Sequence, residues 1–222
     1  MTKHQKNILA STLLLIVFLL YTYLVVTVDA RAVGPQNSIV GFSTINVAIH
    51  RLFGEHEGIY RISEILGYLA LLTVPCFALC GLLQWIKRKS FLKVDREILL
   101  LGAFYLVVLL SYAVFEKVIV NYRPLLLDGE PEASYPSSHT VMALCVMESA
   151  LPQLKRLFGP HSPVTRYSPF VCHTLMILIE ATRLFSGVHW LTDILGGVLL
   201  AVALLSFYRS GLEWLEDQPR KK

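Results

Sequence analysis

Residues 98–115 read ILLLGAFYLVVLLSYAVF, 18 residues without a charge, closed by Glu97 at one end and Glu116 at the other. A helix that crosses a bilayer needs about 20 mostly apolar residues, so this stretch reads as a membrane span. Two further runs are cleaner: Ile8–Val28 is uncharged over 21 residues and Ile65–Ile86 over 22. Three later runs each carry one acid: Ser138–Leu151 with Glu148, Pro169–Thr182 with Glu180, and Trp190–Tyr208 with Asp193. The pattern implies an all-α integral membrane bundle of six transmembrane helices, the fourth and fifth short.

Composition agrees. Of 222 residues, 55% are hydrophobic and 16% charged, whereas soluble domains average about a quarter charged. Mean hydropathy is +0.57. These values argue against a disordered chain, a basic nucleic-acid binder and an ordinary cytosolic enzyme. Long linkers, repeats and low-complexity tracts are missing, so residues 1–222 read as one domain. The four cysteines, Cys76, Cys80, Cys145 and Cys172, all lie in apolar runs, where a thiol behaves as a small hydrophobe; neither a disulfide nor a metal site is assigned.

Lys and Arg concentrate on the cytoplasmic side of membrane proteins. With the N-terminus inside, the inner segments hold Lys3, Lys6, Lys87, Arg88, Lys89, Lys93, Arg96, Lys155, Arg156, Arg166, Arg209, Arg220, Lys221 and Lys222, 14 of the 20 basic residues. Both termini then face the cytoplasm. Segments near 29–64, 116–137 (with Asp128) and 183–189 face out. The net charge of +4 follows from this bias and needs no nucleic-acid partner. Lys3 and Lys6 ahead of an apolar run also suit a signal peptide, but 21 residues exceed the roughly 7–15 of a signal core, so a retained helix is the reading. In the first outer segment, Val47, Ala48, Ile49, Leu52 and Phe53 form a short apolar stripe before Gly54. It is either an interfacial helix or a loop capping the bundle.

Ionisable residues in or beside membrane segments are costly and suggest function. They collect in three places, each at an outer helix end. Where the third span leaves the membrane stands Lys117-Val-Ile-Val-Asn-Tyr-Arg123-Pro124; an Arg fork binds phosphate bidentately and a Lys binds it as a point charge. Before the fourth span stands Tyr135-Pro136-Ser137-Ser138-His139. Pro and Ser suit a helix start, whose free N–H groups suit an anion. Third comes Thr182-Arg183-Leu-Phe-Ser-Gly-Val-His189-Trp-Leu-Thr-Asp193. His189 and Asp193 are four apart and share one face. An Asp so placed fixes the His tautomer and supports a developing imidazolium. Each cluster has a plain structural alternative: snorkelling cations, a capped helix start, or a structural His–Asp pair. Together, two histidines and three cations suit attack on a phosphate ester. One His serves as nucleophile, the other as acid and then base, and the cations neutralise the phosphoryl oxygens.

The three blocks in this order resemble the signature of the type 2 phosphatidic acid phosphatase superfamily: Lys followed by Arg-Pro, then Pro-Ser-Gly-His, then Ser-Arg-x5-His-x3-Asp. The motif likeness covers about 117–208. It departs in three ways. Five residues separate Lys117 from Arg123 where the family has six, so Glu116 occupies the usual Lys slot; Ser138 replaces Gly; Thr182 replaces Ser. The resemblance implies that His189 is the nucleophile, that Asp193 orients it and that His139 is the acid and then the base. It implies that Lys117, Arg123, Ser137, Ser138 and Arg183 hold phosphate. It also implies a metal-independent enzyme with no cofactor, acting on a lipid phosphate or diphosphate at the outer leaflet of a cell membrane. The candidate substrates are undecaprenyl diphosphate, phosphatidic acid, phosphatidylglycerophosphate and a lipid A phosphate. The alternatives are a lipid phosphotransferase on the same site and a non-catalytic lipid-binding or transport protein.

Overall fold

A computed structural model of the chain describes residues 1–126 and 129–219. Asp128 and the inner charges Arg220, Lys221 and Lys222 lie outside the described residues. The elements run α1 (Lys3–Thr27), β1 (Arg31–Ala32), β2 (Ile39–Val40), α2 (Ser43–Phe53), α3 (Glu57–Leu71), α4 (Thr73–Arg88), α5 (Arg96–Lys117), α6 (Ser138–Phe158), α7 (Pro163–Phe185) and α8 (Leu191–Asp217). The strands pair antiparallel across a short turn.

Among the described residues, four helical stretches are long and apolar enough to cross a membrane: α1, the pair α3–α4, α5 and α8. Leu13 and Leu20 of α1, Leu79 and Ile86 of α4, and Leu106 and Leu110 of α5 are exposed, an apolar surface that lipid covers at no cost. The protein is a helical membrane protein. Its axis is α8, whose apolar window is 56% buried against 17% for each of the other three. Along α8 lies α1, held by Ser11 Oγ against Ser206 Oγ at 2.8 Å and by Asn7 Nδ2 donating to Glu213 at 2.9 Å. Phe18 of α1, Leu101 and Phe104 of α5, Val141 of α6, and Leu200 and Tyr208 of α8 belong to one hydrophobic core.

Three boundaries differ from the sequence reading. The run 65–86 is not one straight helix. It begins at Glu57 and breaks at Leu72, because Pro75 has no N–H to give the carbonyl of Leu71. The fourth and fifth helices are not short: α6 has 21 residues and α7 has 23. In α6, polar residues face neighbouring helices. Gln153 donates to Tyr208 Oη at 2.7 Å and Ser149 to Tyr105 Oη at 3.2 Å, so counting only apolar residues undercounts α6. The stripe before Gly54 is helical, as α2, and its Asn46 is fully buried against the start of α8.

Candidate active site

The start of α8 is built by polar groups from two other segments, α2 and residues 121–122. Asn46 of α2 donates to Thr192 Oγ1 at 2.9 Å and accepts from the Thr192 N–H at 3.2 Å. Trp190 Nε1 donates to the Tyr122 carbonyl at 2.8 Å. Asp193, in the first turn, accepts from the Trp190 N–H at 3.0 Å and from Asn121 Nδ2 at 3.0 Å. With both oxygens engaged, its carboxylate is fixed before any ligand arrives. His189 stands in the turn just before α8, 3% exposed, with Nδ1 3.6 Å from Asp193 Oδ2. Burial and then the nearby Arg123 and Arg183 push its pKa well below the usual value, so the ring is neutral near pH 7 and keeps a lone pair.

The second block is pressed against this turn by two glycines. A Cβ on Gly196 would stand 2.5 Å from Tyr135 Cε2, and one on Gly197 would stand 2.8 Å from Thr140 Cβ. Only hydrogen at those positions lets α8 approach so closely. Tyr135 stacks beside Phe18 and gives its hydroxyl to the Thr22 hydroxyl at 2.7 Å. The Ser137 N–H donates to the Asp193 carbonyl at 2.9 Å, and the Ser137 hydroxyl caps α6 at Thr140. His139 therefore lies in the first turn of α6, with Ser138 at its first position.

The cations come from two elements. Arg183, in the last turn of α7, is fully buried. Arg123 follows α5, in a hairpin-like segment where its N–H donates to the Glu132 carbonyl at 2.9 Å and its Nε lies 3.1 Å from the Glu132 carboxylate. Sequence reading missed one contributor, Glu64 of α3. Its Oε1 pairs with Arg183 Nη2 and lies 3.4 Å from His139 Nε2. Its signal was weak: an acid one residue ahead of the uncharged run at Ile65. Asn121, inside the first sequence block, is a second contributor, through its bond to Asp193.

Among the described residues, 13 buried side-chain N or O atoms have no hydrogen-bond partner, and seven of them belong to four residues: Arg123 (Nη1, and Nε, whose only partner is the ion pair with Glu132), Arg183 (Nε, Nη1), His139 (Nδ1) and His189 (Nδ1, Nε2). Buried donors are normally satisfied. Their concentration on four residues from three sequence blocks marks a place for a polar ligand, and the charges specify an anion. His139, His189, Ser138 and Glu64 line one end of a cavity of about 570 Å³ whose remaining wall is mostly apolar, including Leu71, Val74, Leu106, Leu109 and Val146.

Lys117 is not part of this arrangement. It ends α5, exposed, outside the cavity lining. Its neighbour Glu116 lines the cavity instead. Because α5 stays helical through Lys117, one residue of displacement turns the side chain by about 100°. Among the described residues, no group of three or more His, Cys, Asp or Glu is placed to hold a metal ion.

The fold and candidate site describe a helical membrane bundle with His139 and His189 at one end of an apolar cavity and the Arg123 and Arg183 charges close enough to act on His189. The pattern of the PAP2 superfamily matches residues 98–216, and the chain belongs to that superfamily. It is 30% identical over 102 residues to phosphatidylglycerophosphatase B of Bacillus subtilis, a match spanning 44% of this chain and 47% of that protein, about half its length. The fold is similar to the crystal structure of a transmembrane PAP2 type phosphatidylglycerolphosphate phosphatase from Bacillus subtilis, with a TM-score of 0.65, 19% identity, and 95% of this chain and 98% of that one covered.

Proposed function

We propose that the chain is an integral-membrane lipid phosphatase that hydrolyses a lipid phosphate through a phosphohistidine. The observation that carries this reading is the set of buried, unpartnered nitrogen atoms on Arg123, Arg183, His139 and His189, of which the two histidines stand at the polar end of an apolar cavity. The phosphate sits on the two guanidinium groups and the acyl chains lie along the cavity. His189 Nε2 attacks phosphorus while the bond to the lipid oxygen breaks, its electron pair going to that oxygen, which takes a proton from His139. Asp193 supports the charge that develops on His189. His139 then takes a proton from water as that water attacks the phosphohistidine, releasing inorganic phosphate. Arg123 and Arg183 neutralise the phosphoryl oxygens throughout, the part a metal plays elsewhere.

The charge inventory favours a monoester over a diphosphate. Each arginine already shares a carboxylate, Glu132 or Glu64, and Glu116 adds a third acid at the cavity. The names of the two Bacillus proteins support phosphatidylglycerophosphate as the first substrate to try. Residues 1–222 act as one domain with α1 retained. The chain crosses the membrane six times, counting α6 and α7, with both termini inside and the site at the outer leaflet; the positive-inside bias supports this orientation.

The test is phosphate release from purified phosphatidylglycerophosphate, phosphatidic acid and undecaprenyl diphosphate, with and without EDTA. Wild-type protein should release inorganic phosphate in EDTA, and His189→Ala should release none. Undiminished turnover in His189→Ala overturns the mechanism, and phosphate passed only to another lipid makes the protein a transferase. Lys117 standing outside the cavity favours the non-catalytic lipid-binding alternative, for which no lipid would yield phosphate.

A further inference from the structure

Glu64 touches both the candidate acid and the candidate phosphate clamp, and one face of α3 is shaped to hold it there. Tyr60, Glu64 and Gly67 are spaced four and three apart, a single helical stripe. The Tyr60 ring lies 5.5 Å from the Arg183 guanidinium carbon. A Cβ on Gly67 would stand 2.9 Å from His139 Cδ2, so a residue without a side chain lets α3 come close. Between them Glu64 Oε1 reaches Arg183 Nη2 and His139 Nε2. One side of each partner is thereby engaged. The other sides, Arg183 Nε and Nη1 and His139 Nδ1, are the buried atoms left without a partner.

We infer that Glu64 is a positioning residue for phosphoryl transfer: its carboxylate orients His139, so that Nδ1 delivers the proton to the leaving oxygen. It pairs with His139 as Asp193 pairs with His189, giving each histidine a carboxylate of its own. This inference rests on the phosphatase reading above. The proton path is balanced: Nδ1–H goes to the lipid alkoxide as the P–O bond breaks, and Nδ1 later recovers a proton from the attacking water. The Nε2–H bond to Glu64 stays intact throughout.

The experiment compares wild-type protein, Glu64→Gln and Glu64→Asp on phosphatidic acid and on the same lipid with the bridging oxygen replaced by sulfur. A thiolate leaves without needing a proton, so only the oxygen ester depends on an oriented acid. Acid catalysis is worth about 10²–10⁴-fold, so Glu64→Gln should lower kcat on the oxygen ester at least about tenfold with KM little changed. It should lose far less on the sulfur ester, and Glu64→Asp should recover part of the loss. Equal losses on both esters, or no loss on either, overturn the inference while leaving the phosphatase reading intact. A fall in KM with kcat unchanged also overturns it, because the carboxylate would then only compete with phosphate for Arg183. Wild-type protein that releases phosphate from neither of these lipids nor from any lipid of the screen above overturns both readings.

Discussion

Asp193 Oδ2 lies 3.6 Å from His189 Nδ1 while accepting the Trp190 N–H at 3.0 Å. The carboxylate that faces the histidine is thus anchored by the backbone of the next residue and, through its other oxygen, by Asn121. Asp193→Asn keeps the shape but places an amide opposite Nδ1 and removes the charge that supports an imidazolium. In a Ser-His-Asp enzyme the equivalent change costs about 10⁴-fold in kcat. Here kcat for phosphate release should fall by a factor of that general size, with the protein still folded by circular dichroism. A change within threefold, on the scale of a lost exposed contact, would remove Asp193 from the chemistry.

The positions of Glu116 and Lys117 give a paired prediction. Lys117 is exposed and outside the cavity, so Lys117→Ala should leave kcat/KM within about twofold, as expected for a solvated charge. Glu116 lines the cavity, so Glu116→Lys should lower KM for lipid phosphates and strengthen vanadate inhibition. A large loss in Lys117→Ala would show that α5 unwinds when substrate binds.

His189 has its pKa pushed down by burial, Arg123 and Arg183. A base whose pKa is lowered stays neutral further into acid, so the acid limb of kcat/KM should lie below the ordinary His value of about 6.5. Arg123→Gln removes one of the repelling cations. Its acid limb should move up in pH relative to wild type on the same substrate, a comparison in which the ionisation of the phosphate cancels. A limb that stays in place would disconnect Arg123 from His189.

Gly196 faces Tyr135 at a distance that leaves no room for a methyl group. Gly196→Ala forces Tyr135 or α8 to shift, and overpacking of this kind costs about 1–3 kcal/mol. The variant should unfold at lower temperature in detergent and lose activity out of proportion to that shift, because Asp193 and Ser137 ride on the same contact. Wild-type melting and turnover would show that the contact relaxes freely.

Orientation can be read from Glu57, exposed at the start of α3. Glu57→Cys should react in intact cells with a thiol reagent that cannot cross membranes, beyond the background of the unmodified chain. Reaction only after lysis would put the site on the cytoplasmic face.

Much of the architecture was legible because lipid imposes a simple rule. Runs without charge marked α1 and α5, a run with a single acid marked α8, and the three polar blocks marked the segments that carry His139, Arg183, His189 and Asp193. What escaped was tertiary. Gln153 and Ser149 look like interruptions until Tyr208 and Tyr105 are seen to receive them. Glu64 looks like the rim of a loop until Arg183, 119 positions later, folds onto it. Lys117 reads as a ligand by type and near-spacing, and only the continuity of α5 shows which way it turns. Pairing across elements leaves no periodic trace, whereas contact with lipid does.

The cavity beside Glu64 and His139 is walled by α3 and α5, with Tyr68, Leu71, Leu106 and Leu109 in its lining, and Tyr68, Leu71, Leu106 and Leu109 also stand on the outer surface of the bundle. A ligand that keeps its tails in hydrocarbon can therefore slide sideways into place without ever being dissolved. For such a ligand the quantity that sets occupancy is its mole fraction in the surrounding leaflet, not its molarity in the bulk. Diluting the same amount of lipid phosphate into more detergent or more bystander lipid should slow turnover as effectively as removing it, and water is the one reactant that must arrive from the other direction.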